Sequence, residues 1–164
     1  MKEPEVVGTD ARWIEVRADI QSAVRHFDMS KKLFERKGFD EDSAEAYIAL
    51  MAIMHSMQAG YTSLESGIKR ILNILDEALP YGDEWHSDLL KRSARIIKNS
   101  RPAILSKDTY KLADEARRFW YAAVNDYDDF VPFKSEKAIE SADKLSKVLI
   151  YEVDNFIKVI DPEK

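Results

Sequence analysis

Apolar residues return along this chain at steps of three and four over long stretches, the spacing of one face of an α-helix. The clearest run is Leu112 to Phe130, where Leu112, Ala116, Phe119, Ala123, Tyr127 and Phe130 share a face. Upstream, Trp13, Val16, Ile20, Val24, Phe27 and Leu33 mark a first helix from about Asp10 to Lys37, with Gly38 behind its basic end as a stop. A second helix is predicted from about Ser43 to Leu79, on a stripe of Ile48, Met51, Ala52, His55, Ala59, Thr62, Ile68, Ile71, Leu72 and Leu75. At about 1.5 Å per residue it is a rod of roughly 55 Å. Asp42 and Glu45 suit a capping box at its start, and Gly60 or Gly67 either bends it or admits a neighbour closely.

Pro80-Tyr81-Gly82 reads as a turn, Asp83 as the cap of a third helix over about Glu84–Ser100, and Pro102 as the next break. Ser106 can cap the fourth helix; Val131-Pro132-Phe133 ends it. Ser135 opens a fifth, striped by Ala138, Ala142, Leu145, Leu149, Val153, Phe156 and Ile160. Nothing alternates with period two for long enough to be a strand. The expectation is an all-α, up-and-down bundle of about five helices. It forms a single domain over 1–164, with residues 1–9 frayed around Pro4 and Gly8.

Composition narrows the class. With 164 residues, 45% apolar and 34% charged, the chain suits a soluble domain with a substantial core. The absence of cysteine removes disulfides, thiolate metal sites and cysteine nucleophiles. The opening MKEPEVVG has no apolar core and is no signal peptide. No run approaches the roughly 18 apolar residues of a membrane span, so a cytoplasmic location without membrane contact is expected. A net charge of −5 argues against a dedicated nucleic-acid binder. A local patch is still conceivable, since Lys91, Arg95 and Lys98 fall at helical spacing with Arg92 and Arg101 close by. The plain reading of that patch is a solvated helix face.

Catalytic signals are sparse. His26, His55 and His86 do not pair at i, i+3 or i+4, and no Glu-x-x-His arrangement offers a metal site. There is no phosphate-cradling glycine loop, no G-x-S-x-G and no H-E-x-x-H, so neither cofactor nor metal is expected. His55 lies on the second helix's stripe and reads as a core histidine; His86, beside Trp85, reads as a packed neutral one. Trp120, Asn125 and Tyr127, on or beside the stripe of the fourth helix, read alone as two packing aromatics and a capping-type polar residue.

Three segments change the picture: GYTSLESGIKRIL at 60–72, GDEWHSDLL at 82–90 and LADEARRFWYAAVNDYDDF at 112–130. Together they resemble the HepT-like branch of the HEPN superfamily, over roughly residues 45–160. The resemblance implies a compact helical bundle that dimerises with a cleft where the two fourth helices meet. It also implies a toxin of a toxin–antitoxin pair, partnered by a minimal nucleotidyltransferase and cutting RNA without metal. The family's motif is an arginine, four residues, a histidine, one residue and a tyrosine. Position by position the arginine falls on Trp120, the histidine on Asn125 and the tyrosine on Tyr127, so only the tyrosine matches. In some members that tyrosine accepts nucleotide from the partner, which makes Tyr127 a candidate acceptor.

The departures bear on the chemistry. Histidine can take a proton from a ribose 2′-hydroxyl and return one to the leaving oxygen; an asparagine amide does neither. Arginine clamps a phosphate with two hydrogen bonds; Trp120 has one N–H and no charge. Asp126, Asp128 and Asp129 put negative charge on the same turn. The expectation is therefore a HepT-like protein that binds a partner, and RNA through the Lys91–Arg101 face, without cutting efficiently. The alternative is an active toxin endoribonuclease with a rearranged site on Arg117, Arg118, His86 and Tyr127, Arg118 reaching along the helix toward Tyr121, Ala122 and Asn125. A third reading is an unrelated helical interaction protein.

Overall fold

The computed structural model describes residues 11–39, 41–125 and 136–162. They form five α-helices: α1 (Ala11–Arg36), α2 (Ala44–Ile74), α3 (Trp85–Ser93), α4 (Lys107–Asn125) and α5 (Glu136–Ile160). Among the described residues the only β-type pairing is one isolated bridge between Ile97 and Arg101. The all-α bundle of five helices expected from the periodicity is what the chain builds. The segment 1–9 expected to fray, the Asp126–Asp129 charges, Tyr127, Phe130, the break expected at 131–133 and the cap expected at Ser135 lie outside the described residues.

α1 pairs antiparallel with both α2 and α5. On the α2 side the fit depends on two glycines seven residues apart. A Cβ on Gly60 would sit 2.6 Å from Cδ1 of Phe27, and one on Gly67 would sit 2.9 Å from Cδ1 of Ile20. Both distances are shorter than any side chain tolerates, so the glycines admit the neighbouring helix. Asp19 then reaches Ser66 (3.0 Å) and Arg70 (2.7 Å) across the seam. On the α5 side Trp13 Nε1 donates to Asp161 (3.1 Å), Arg17 pairs with Asp154 (3.0 Å) and Lys31 with Glu140. Trp13, Phe27, Tyr61, Leu64, Leu89, Phe119, Leu145 and Phe156 belong to one continuous core cluster fed by all five helices. Each fully buried large apolar side chain stabilises the fold by about 1.5–3 kcal/mol relative to exposure.

The α5 stripe is buried as predicted except Ile160, which is half-buried; in α1 Trp13, Val16, Ile20 and Phe27 are buried while Val24 and Leu33 are half-buried. α2 departs from its predicted register. Ile68, Ile71 and Leu72 are buried as predicted, but Ile48, His55 and Thr62 are exposed, and in the first two-thirds of the helix the buried face is Ile53, Met57, Tyr61 and Leu64. This helix is apolar around much of its circumference, so spacing alone does not choose its inner face. His55 is thus a surface residue in edge contact with His26 (6.2 Å between ring centres) and no core histidine.

Helix ends also differ. Ser43, one residue after the predicted Asp42, caps α2 by accepting from the Ala46 N–H (3.1 Å). The helix stops at Ile74 rather than near Leu79, because Asp76 turns left-handed (φ +54°) and its N–H and that of Glu77 bond the carbonyls of Asn73 and Leu72. That is a Schellman stop built on aspartate. α3 ends at Ser93, not Ser100. Its last carbonyls are taken by the returning chain: Ile104 and Leu105 N–H bond Ser93 O, and the Arg101 guanidinium bonds the carbonyls of Arg92 and Arg95. Arg101 is fully buried at its side chain and grips Glu77 with two hydrogen bonds of 2.7 and 3.0 Å. It is a structural clamp and no part of an open basic face. Glu84 sits at the α3 N-cap without a side-chain cap bond, so the Asp83 cap is not used. Ser106 caps α4 as predicted, accepting from Thr109 N–H at 3.1 Å.

Candidate functional site

Tyr61, Glu65 and Lys69 follow one another at steps of four on α2 and therefore project from one side of it. Trp85 and His86 open α3, and Trp120 lies late in α4. The bundle brings these three helices together so that the six side chains form one file. Tyr61 lies 5.5 Å from Trp120 between ring centres, Trp120 lies 4.5 Å from His86, and His86 lies 3.6 Å from Trp85. Lys69 closes the file with Nζ 4.3 Å from the centre of the Trp85 ring, a cation–π contact.

Behind the aromatics sits a buried carboxylate. Glu65 is 5% exposed, and such a group is stable only when bonded. Its Oε2 accepts from the Tyr61 hydroxyl (2.8 Å) and from His86 Nδ1 (2.7 Å). A carboxylate oxygen accepts in this contact, so Nδ1 of His86 is the donor. Burial, reinforced by the Glu65 charge, raises the Tyr61 pKa far above its ordinary value and keeps the phenol protonated, although Arg117 opposes the shift.

Trp120 is half-buried and held between Tyr61 and His86, so the position assigned to arginine carries an indole that is part of the packing. Asn125 is exposed at the end of α4, and its Nδ2 donates back to Tyr121 O at 2.8 Å. Tyr127 lies outside the described residues. Arg117 bonds Asp114 (2.9 Å), and Arg118 turns back to Asp114 (3.1 Å) and Glu115 (3.9 Å) instead of forward to Asn125. Helical side chains lean toward the N-terminus, and both guanidiniums find carboxylates there. Lys91 lies on α3, while Arg95 and Lys98 follow its end, so the three do not form one helical face. Among the described residues no group of three or more His, Asp or Glu is placed to hold a metal ion. No described helix is long and apolar enough to cross a membrane.

Sequence reasoning singled out Trp120, Asn125 and His86, and used Tyr61, Glu65 and Lys69 only as part of the segment 60–72 that carries the resemblance, without a place in the site. Their step-of-four spacing was a usable signal. The partnership of Glu65 with a histidine 21 residues away was not, since it depends on where α3 docks.

The HepT-like protein family matches residues 52–160, about two-thirds of the chain, from within α2 to the end of α5. The chain belongs to this HepT-like family, and the five-helix bundle is consistent with the HEPN-like architecture. Membership removes the reading of an unrelated helical protein. No curated protein and no solved structure matches the chain.

Proposed function

We propose that this chain is a HepT-like member of a toxin–antitoxin system, a helical homodimer that binds a nucleotidyltransferase partner and RNA and does not cut RNA efficiently. The observation that carries the reading is Trp120, packed 4.5 Å from His86 and 5.5 Å from Tyr61 where the family motif has a phosphate-clamping arginine. Asn125 stands at the histidine position with its amide turned onto Tyr121 O. Loss of acid–base help alone lowers a rate by about 10²- to 10⁴-fold, and loss of the cation adds to that. Tyr121 and Val124, 58% and 48% exposed beside Asn125, leave an apolar strip on α4 suited to a second copy. Tyr127 remains the candidate nucleotide acceptor.

A second reading has one observation in its favour. His86 is held by a buried carboxylate, the arrangement that orients a general base, which suits a ribonuclease with a rearranged site. Against it, Arg117 and Arg118 are occupied by Asp114 and Glu115. Overexpression in bacteria separates the two. The binding protein leaves growth unaffected. Growth arrest that His86→Ala or Arg118→Ala relieves would overturn the proposal and select the nuclease.

A further inference from the structure

The short connection between α2 and α3 carries the most exposed aromatic side chain among the described residues. Tyr81 is 92% exposed, set between Pro80 and Gly82, whose φ of +93° is left-handed. A large ring that gains nothing from the core stands out on this turn. Two grooves meet under it. One, of about 350 Å³, runs past Lys69, Pro80 and Trp85. The other, of about 500 Å³, runs past Asp88, Lys91, Arg92 and Arg95. Leu79, Pro80 and Tyr81 belong to both, so Tyr81 is the ridge between an aromatic trough and a basic one.

The charges on this surface oppose those of the whole. Four cations line the two grooves against the one lining carboxylate of Asp88, with Asp83 and Glu84 exposed just after Gly82, on a chain of net charge −5. Arg92 also donates to the carbonyl of Ala78 and thereby fixes the basic trough to the turn. Lys91 and Arg95 are exposed. Aromatic faces beside a basic track suit a polyanion that carries flat, unpaired rings. A duplex hides those rings and would meet the cations alone.

We infer that Tyr81 and its two grooves form a binding site for a single-stranded polynucleotide. An unpaired base stacks on Tyr81 toward Trp85, and the adjoining phosphates lie on Lys91 and Arg95. Lys98 is not among the lining residues and takes no part. Trp85, which lines the aromatic trough, also packs on His86 at 3.6 Å between ring centres. The inference rests on the binding half of the proposed function and is indifferent to whether the protein cuts.

The test is fluorescence anisotropy of the full chain with a labelled, unstructured RNA of about a dozen nucleotides, the samples then run on a denaturing gel. The single strand binds more tightly than the same sequence as a duplex. Tyr81→Ala, checked for its fold by circular dichroism, weakens binding roughly 5- to 150-fold, the effect of one lost stacking contact. The pair Lys91→Ala and Arg95→Ala lowers the slope of log affinity against log salt by about 1.4, as removal of two phosphate contacts requires. Lys98→Ala leaves both quantities unchanged. No binding by the wild type, wild-type affinity in Tyr81→Ala, equal affinity for the duplex, or equal competition by polyglutamate would each overturn the inference. RNA that is bound and also cleaved would keep this site and refute the non-cutting reading; RNA neither bound nor cleaved would do the reverse.

Discussion

Removing the indole of Trp120 should destabilise the fold by about 3 kcal/mol. Truncating a fully buried tryptophan to alanine costs about 3–5 kcal/mol, and Trp120 is half-buried, so burial supplies about 2 kcal/mol. The tilted contacts with His86 at 4.5 Å and Tyr61 at 5.5 Å each add about 0.5 kcal/mol beyond area, the low end for such ring pairs. For a chain of 164 residues each kcal/mol moves Tm by about 2–4 °C, so Trp120→Ala should melt about 6–12 °C lower. Trp120→Arg should lose less, about 2 kcal/mol, because the arginine stem still covers apolar surface and the guanidinium can stack on the imidazole. Thermal unfolding followed by circular dichroism measures both. Tyr151→Ala, on α5 at 71% exposure, is the reference and should stay within about 0.5 kcal/mol of wild type. A Trp120→Ala variant as stable as Tyr151→Ala would show that the ring is not built into the packing. The physical account of the altered motif would then fail.

Three further outcomes follow from the same contacts. Glu65→Ala strands the Tyr61 hydroxyl and His86 Nδ1 and should cost about 2–4 kcal/mol in urea unfolding; a change under about 0.5 kcal/mol would mean that neither donor depends on it. Gly60→Ala gains up to about 1 kcal/mol in helix propensity but drives a Cβ to 2.6 Å from Phe27, where overpacking costs about 1–3 kcal/mol. It should destabilise on balance, and a stabilised variant would contradict the close helix contact. The His26 pKa is lowered by burial first, then by Arg25 and His55. Between its folded and ordinary values the unfolded chain binds more protons, so this group's contribution is intact above about pH 6.5 and is lost as pH falls. Unfolding free energies at pH 7.5 and 5.5 should therefore differ more for wild type than for His26→Gln; an equal difference would refute the linkage.

How far the architecture could be read from spacing varied with the helix. α5 and much of α1 are amphipathic, and their stripes point inward almost as written. α2 is apolar on several sides, so periodicity placed Ile48 and His55 inside where the packing leaves them out. The ends of α2 and α3 depend on Asp76 in a left-handed turn and on Arg101, just before Pro102, reaching back to the Arg92 carbonyl, neither of which advertises itself as a glycine stop does. Trp120 and Asn125 drew notice only through the resemblance. The file joining Trp120 to Tyr61, Glu65, His86 and Trp85 was not legible, because it joins three helices. The basic residues were legible only as a run; the fold buries Arg101, separates Lys98 and leaves Lys91, Arg92 and Arg95 in one groove.

The central claim is that an indole and a carboxamide stand where a cutting site needs a cation and a proton carrier. The most direct measurement is the single-turnover cleavage of labelled transfer RNA and messenger RNA by excess purified protein, followed over hours. The account predicts product no faster than in buffer, from the wild type and from Asn125→Ala alike. Rapid cleavage by the wild type that Asn125→Ala or Trp120→Ala abolishes would contradict it.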